Sequence, residues 1–178
     1  MQSLGKMMAR PLLVSAILEH GSDQFGKQQV VSRETHGSLH NYTFRDMANR
    51  AKQLANALQS LGLKPASVVG SIAWNNYRHL ESYYGVSGAG MVMHTCNPRL
   101  HPDQLAFIIN HAEDEVVLFD SSFAPLIKAI APLCSTVKHW ICLSDKTHAP
   151  TVEGVDIQNY EDLIAPFSAV FEWPFKYG

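Results

Sequence analysis

Apolar and polar positions follow two rhythms along this chain. Between Thr43 and Leu61, Met47, Ala51, Leu54, Ala55, Leu58 and Leu61 recur at steps of three and four, while Asn49, Lys52, Gln53 and Gln59 fall on the other side. That spacing predicts a helix with one buried face. Thr43 stands at the N-cap position, and Asp46 three residues on completes a capping box. Gly62 supplies a left-handed stop, and Pro65 prevents the helix from resuming. From Val68 onward the rhythm changes to short apolar runs separated by helical stripes. Residues 68–73, 91–94, 116–119 and 139–143 predict four strands. The first intervening helix would bury Leu80, Tyr83, Tyr84 and Ser87 and end at Gly88 and Gly90. The second opens on Pro102 and buries Leu105, Ile108, Ile109 and Ala112. The third, N-capped by Ser122, buries Leu126, Ile127 and Ile130 and stops at Pro132.

Strands alternating with amphipathic helices predict an α/β fold: a mostly parallel sheet flanked by helices, with right-handed crossovers. Residues 30–32 and 40–42 add a short N-terminal hairpin, turning through Glu34, Thr35, His36 and Gly37. Residues 11–18 are briefly apolar behind Lys6 and Arg10, as in a secretion signal. No small-residue cleavage site follows, and Leu12, Ala16 and Ile17 keep helical spacing, so a short docked helix is the better reading. Past Ser144 the pattern fades into a polar loop over 147–156 and a single helical turn over 160–165. Phe171, Trp173, Phe175 and Tyr177 alternate as in a strand, but Pro174 excludes a central one. Together with Phe167, these aromatics are expected to dock on structure outside the chain and to leave an exposed apolar patch. The expected organisation is one partial domain over 1–178, with an α/β core over 29–144 and a linker over 145–178 leading to a remainder.

Composition narrows the function classes. The chain is 46% hydrophobic and 17% charged, with 14 basic and 16 acidic residues and a net charge of -2. No positive field backs a nucleic-acid footprint or a polybasic membrane patch. No apolar run approaches the length of a membrane span. The cysteines Cys96, Cys134 and Cys142 are odd in number and form no C-x-x-C pair, which points to a reducing, cytoplasmic setting rather than a disulfide framework.

Several residues imitate catalytic motifs. Gly85-Val-Ser87-Gly-Ala89 resembles a nucleophile elbow, but an elbow runs strand, turn, helix, and Ser87 lies where a helix ends. Gly85, Gly88 and Gly90 fail as a dinucleotide loop for the same reason, since the backbone N–H groups lie at the wrong helix end. His79 and Glu81 copy the start of a deaminase signature whose Pro-Cys-x-x-Cys half is absent. His94 and Cys96 could begin a metal site, but no second pair matches them, so no metal ligand is assigned. The strand ends Trp74-Asn75-Asn76, Thr95-Cys96-Asn97, Asp120-Ser121 and Ser144-Asp145 lie where a doubly wound sheet binds ligands. Turn and cap chemistry accounts for the same residue types and is favoured over ligand contact. No catalytic or cofactor-binding residue is assigned.

The stretch WNNYRHLESYYGVSGAGMVMHTCNPRL followed by QLAFIINHAEDEVVLFD closely resembles the N-terminal region of medium- and long-chain fatty-acyl-CoA synthetases. These belong to the adenylate-forming superfamily, with firefly luciferase and the acetyl-CoA synthetases. The similarity runs to about residue 143 and is densest in the middle third. It implies a two-step reaction in the parent protein. A fatty-acid carboxylate attacks the α-phosphate of ATP, giving acyl-adenylate and pyrophosphate, and coenzyme A then forms the thioester. Magnesium offsets phosphate charge. The family's Ser/Thr/Gly-rich phosphate loop, its Tyr-Gly-x-Thr-Glu motif, its ribose-binding Asp and its C-terminal Lys are all absent from these 178 residues. The resemblance therefore implies scaffold only, including the turn Asn97-Pro98-Arg99, and a homodimer contact through the N-terminal segment. ATP, magnesium and coenzyme A are expected to serve the parent and not to bind this stretch productively. A non-enzymatic α/β interaction module remains the alternative, with a dinucleotide enzyme behind it because no glycine fingerprint follows a strand.

Overall fold

The computed structural model describes residues 11–174. Helix α1 (Val14–Phe25) leads into a hairpin of β1 (Gln29–Arg33) and β2 (Leu39–Thr43), paired antiparallel. Gly37 takes the turn at φ 101°, a conformation that suits a residue without Cβ. Helix α2 (Phe44–Ser60) starts at the expected capping box: the Asp46 N–H donates to Thr43 Oγ1 at 3.2 Å and the Thr43 N–H donates to Asp46 Oδ2 at 3.0 Å. It ends at Leu61, and Gly62 follows at φ 91°.

Strands β3 (Val68–Ile72), β4 (Val92–Thr95), β5 (Asp114–Phe119), β6 (His139–Cys142) and β7 (Ile157–Asn159) form one five-stranded parallel sheet in the order β4-β3-β5-β6-β7. Helices α3 (Tyr77–Gly88), α4 (Pro102–His111), α5 (Ala124–Ile130) and α6 (Tyr160–Ile164) follow strands in turn. Alternation along β5 divides the core between the two faces. Val116 and Leu118 join Leu54, Leu58, Ile141 and Tyr160 on one side, while Val117 and Phe119 join Leu105, Ile109, Ile127 and Ile130 on the other. The parallel α/β architecture and the hairpin are those the periodicity predicts.

Four local expectations are corrected. A fifth strand, β7, pairs with β6 between the expected loop over 147–156 and the helical turn over 160–165; Ile157-Gln158-Asn159 is too short and too polar to stand out. In α3 the buried residues are Tyr77, Arg78, His79, Glu81, Ser82, Gly85, Val86 and Gly88, whereas Tyr83 of the expected stripe is 42% exposed. The helix packs closely on α2, where a Cβ on Gly85 would lie 2.8 Å from the Ala51 carbonyl oxygen, and its charged residues Arg78 and Glu81 are buried against partners from other segments. In α1, Ser15, Leu18 and Ser22 face inward, and Leu12 and Ile17 of the expected face point outward. Ser122 is not an N-cap; it sits in a 3-10 turn ahead of α5 and accepts a hydrogen bond from Trp74 Nε1 at 2.9 Å.

The aromatic segment docks on this chain. Trp173 is buried, with its Nε1 donating to Glu19 Oε1 at 2.8 Å, and Phe167 and Phe171 pack partly buried against the same core. Phe175 and Tyr177 lie outside the described residues. No helix among the described residues is long and apolar enough to cross a membrane.

Candidate functional site

Strand order reverses direction at β3, since β4 lies on one side of it and β5 on the other. In a parallel sheet this switch point opens a crevice at the carboxyl ends of the strands. Here the crevice is bounded by Trp74, Asn76 and Asp120. The Asp120 carboxylate accepts the Trp74 backbone N–H at 2.6 Å and Asn76 Nδ2 at 2.9 Å. Asn76 in turn caps α3 by accepting the His79 N–H at 3.0 Å. Burial raises the Asp120 pKa, and the two donors work against that rise. The strand-end residues named from sequence are thus brought together at β3 and β5, where they act as caps and turn locks. Asn97, at the end of β4, accepts the Arg99 N–H in its own turn.

A band of ion pairs lies beside this crevice. Arg78 Nη1 meets Glu34 Oε2 at 2.9 Å and the Leu143 carbonyl at 3.3 Å, while its Nε donates to Glu161 Oε1 at 2.7 Å. Arg50 grips Glu161 with both terminal nitrogens, each at 2.9 Å, and gives its Nε to Glu81 Oε1 at 2.8 Å. Tyr160 also donates to Glu81, at 2.8 Å. The band joins the hairpin loop, α2, α3, the end of β6 and α6. Burial raises the Glu81 pKa despite Arg50; burial also works to raise Glu161, but two guanidinium groups outweigh it and leave Glu161 below its ordinary value. Sequence reasoning missed this band. Its members are separated by 31 to 111 residues, so no local spacing announces them.

Between β1 and α3 runs a groove of about 380 Å³, lined by Val30, Ser32, Asn76, His79, Leu80 and Tyr83 among others. His79 lies 3.3 Å from Ser71 Oγ, and burial holds its pKa below the ordinary value, so it is neutral near pH 7. Ser71 is only 1% exposed, which denies a substrate access to this pair.

The other imitations separate in space. Ser87 lies in the last turn of α3, and Gly88 packs against the Trp173 ring. Glu81 faces Arg50 and Tyr160, away from His79. His94 and Cys96 do acquire a third donor: Asp114 brings its carboxylate to His94, and ligand atoms of all three lie within 4.8 Å of one another. Burial pushes Asp114 up to about 6 and the Cys96 thiol up to about 12. Sequence offered no sign of Asp114, because 20 residues separate it from His94.

Comparison with known proteins adds the following. Residues 18–166 match the family described as AMP-binding enzyme. A 3-methylmercaptopropionyl-CoA ligase of Ruegeria lacuscaerulensis is 42% identical over 171 residues, covering 96% of this chain and 32% of that protein. A medium-chain-fatty-acid–CoA ligase of Ectopseudomonas oleovorans is 42% identical over 171 residues, covering 96% of this chain and 31% of the relative. The crystal structure of the anthranilate CoA ligase AuaEII in complex with anthranoyl-AMP superposes with a TM-score of 0.78 at 23% identity, over 94% of this chain and 31% of that one, which shows the shared fold. The chain spans about a third of the length of the curated relatives it matches.

Proposed function

The chain belongs to the AMP-binding enzyme family, and on that premise we propose that it is the N-terminal third of an ATP-dependent fatty acid–CoA ligase. The reaction proposed for the whole protein has two steps. A carboxylate oxygen of the acid attacks the α-phosphorus of ATP, pyrophosphate leaves, and an acyl-adenylate forms. The thiol of coenzyme A then attacks the acyl carbon, its proton is lost, and AMP leaves. The observation behind this reading is the 42% identity to a medium-chain-fatty-acid–CoA ligase across nearly the whole chain. The whole protein is proposed to act in the cytoplasm, in keeping with free, buried Cys96, Cys134 and Cys142.

In this reading the described residues build and do not react. The sheet sets the crevice at β3 and β5, and the ion-pair band fixes the hairpin and α6 around it. Magnesium would accompany the ATP, as a hard cation held by phosphate and carboxylate oxygens. Asp120 and Glu161, two carboxylates at this end of the sheet, already have their oxygens engaged, so neither fits as its ligand.

A second reading differs only in the acid. The equal identity to a 3-methylmercaptopropionyl-CoA ligase supports a short thioether acid as well as a medium-length alkyl one. One experiment tests both: assay acid-dependent pyrophosphate release by this chain alone, and by this chain joined to the remaining two-thirds of the Ectopseudomonas oleovorans relative. We expect none from the chain alone, and release with octanoate or 3-methylthiopropionate from the joined protein. A folded but inactive joined protein would overturn the ligase reading and favour a non-enzymatic module. Turnover by the 178 residues alone would overturn the scaffold role.

A further inference from the structure

We propose that His94, Cys96 and Asp114 form a binding site for a zinc-class divalent cation, on the sheet face opposite the ion-pair band. Nothing in this inference depends on the ligase reading.

The site is assembled across three strands. His94 lies on β4 and Asp114 opens β5, and these strands are not neighbours, because β3 runs between them. Gly70 of β3 pairs in register with His94. A Cβ on Gly70 would lie 2.5 Å from Asp114 Oδ2 and 3.1 Å from its Cγ. The carboxylate therefore crosses β3 through the space that a side chain would otherwise fill. It reaches His94 Nδ1 at 2.9 and 3.0 Å. Cys96, two residues along from His94 and so on the same side, places Sγ 3.8 Å from Nδ1.

These distances are close to a coordination shell. Donors arranged tetrahedrally around zinc, at about 2.0–2.3 Å from the metal, stand roughly 3.5 Å from one another. The sulfur–nitrogen separation of 3.8 Å is near that value, and the carboxylate, within 4.8 Å of the sulfur, would swing from the imidazole toward the thiol to complete the set. One thiolate, one imidazole and one carboxylate form a mixed set that suits zinc or cobalt, whereas magnesium and calcium require oxygen alone. Asp114 and Cys96 are buried, and the His94 side chain keeps 24% of its surface exposed, which leaves a way in. Cys134 is buried in the same apolar cluster but lies outside this donor group, so the fourth position falls to water. On binding, the Cys96 thiol loses its proton to solvent and the thiolate takes up the metal. The bound ion would tie the edge strand β4 to the start of β5.

The test uses the 178-residue chain, stripped with a chelator and given zinc alone. We expect one equivalent to survive desalting, with zinc X-ray absorption showing one sulfur neighbour at about 2.3 Å. Cobalt in place of zinc should give a thiolate-to-metal charge-transfer band that disappears in Cys96→Ala and persists in Cys142→Ala. If Cys96→Ala does not fold, the sulfur count on the unaltered chain decides. Failure to retain zinc, or a shell of nitrogen and oxygen only, would overturn the proposal. In that case His94 and Asp114 would be a buried hydrogen-bonded pair and Cys96 a packing residue.

Discussion

Arg50 on α2 places its Nε 2.8 Å from Oε1 of Glu81 on α3, a carboxylate with no exposed side-chain surface. The helix α3 can bury this charge only because α2 delivers the countercharge and Tyr160 supplies a second donor. Truncating one partner of such a pair leaves the other charged and dry, at a cost of about 3–5 kcal/mol. Arg50→Ala is therefore expected to destabilise the fold by that order in chemical denaturation. Glu161→Ala should cost less, because Arg78 retains Glu34 and Arg50 retains Glu81. A loss below about 1 kcal/mol for Arg50→Ala, the range of an exposed pair, would show that the band is solvated.

The two carboxylates of this band titrate in opposite senses. Glu161 is held below its ordinary 4.5, so its contribution to stability is complete above that value and is lost as pH falls through the depressed one. Glu81 is raised, so its contribution has the reverse sign and is lost as pH rises through the elevated value. Replacing Glu161 with Gln removes only the acid-side dependence. Between about pH 5 and pH 3 the unfolding midpoint should fall more steeply in the unaltered chain than in Glu161→Gln. Parallel acid limbs in thermal scans would show that Arg50 and Arg78 do not favour the Glu161 anion.

Trp173 closes the described chain onto α1, α2 and α3. Gln53 Nε2 donates to the Phe167 carbonyl, and Asn56 Nδ2 donates to those of Ser168 and Val170. The ring then seats on Gly88, where a Cβ would stand 2.8 Å from it. Trp173→Ala should cost about 3 kcal/mol and make residues 165–174 more open to limited proteolysis, whereas Trp173→Phe should restore most of the protection. Unchanged cleavage in Trp173→Ala would mean that the α2 amides alone hold the segment.

How much of this was readable in sequence follows from the range of the interactions. The Thr43–Asp46 cap, the Gly62 stop and the α2 stripe depend on neighbours three or four residues apart, and each stands where periodicity places it. The strands β3, β5 and β6 are buried runs and declare themselves. β7 has three residues of mixed polarity, so only its pairing with β6 marks it as a strand. Apolar periodicity does not mark the inner face of α3, because that face is largely polar. Its inner side carries Arg78 and Glu81, whose partners Arg50 and Glu161 come from distant segments. The same limit hid Asp114: the sequence shows His94 and Cys96 side by side, but only the sheet brings in the carboxylate from across β3.

The space at Gly70 gives the sharpest test of that cross-strand arrangement. Glycine within a strand ordinarily weakens it, so a methyl group added at an open site would be neutral or helpful. Here the added Cβ would meet the Asp114 carboxylate at 2.5 Å and Val117 Cγ2 at 3.3 Å. Gly70→Ala is expected to cost about 1–3 kcal/mol, the usual range for overpacking a filled site. Asp114→Ala alone should also destabilise, since it removes the partner of His94. With Asp114 already shortened, however, the Gly70→Ala methyl has room, and the added penalty should shrink to within about 0.5 kcal/mol of zero. Urea denaturation of the two single variants and the double variant measures this coupling. Additive losses would place the Gly70 strain against Val117 instead, and would remove the steric reason for a glycine beneath the carboxylate.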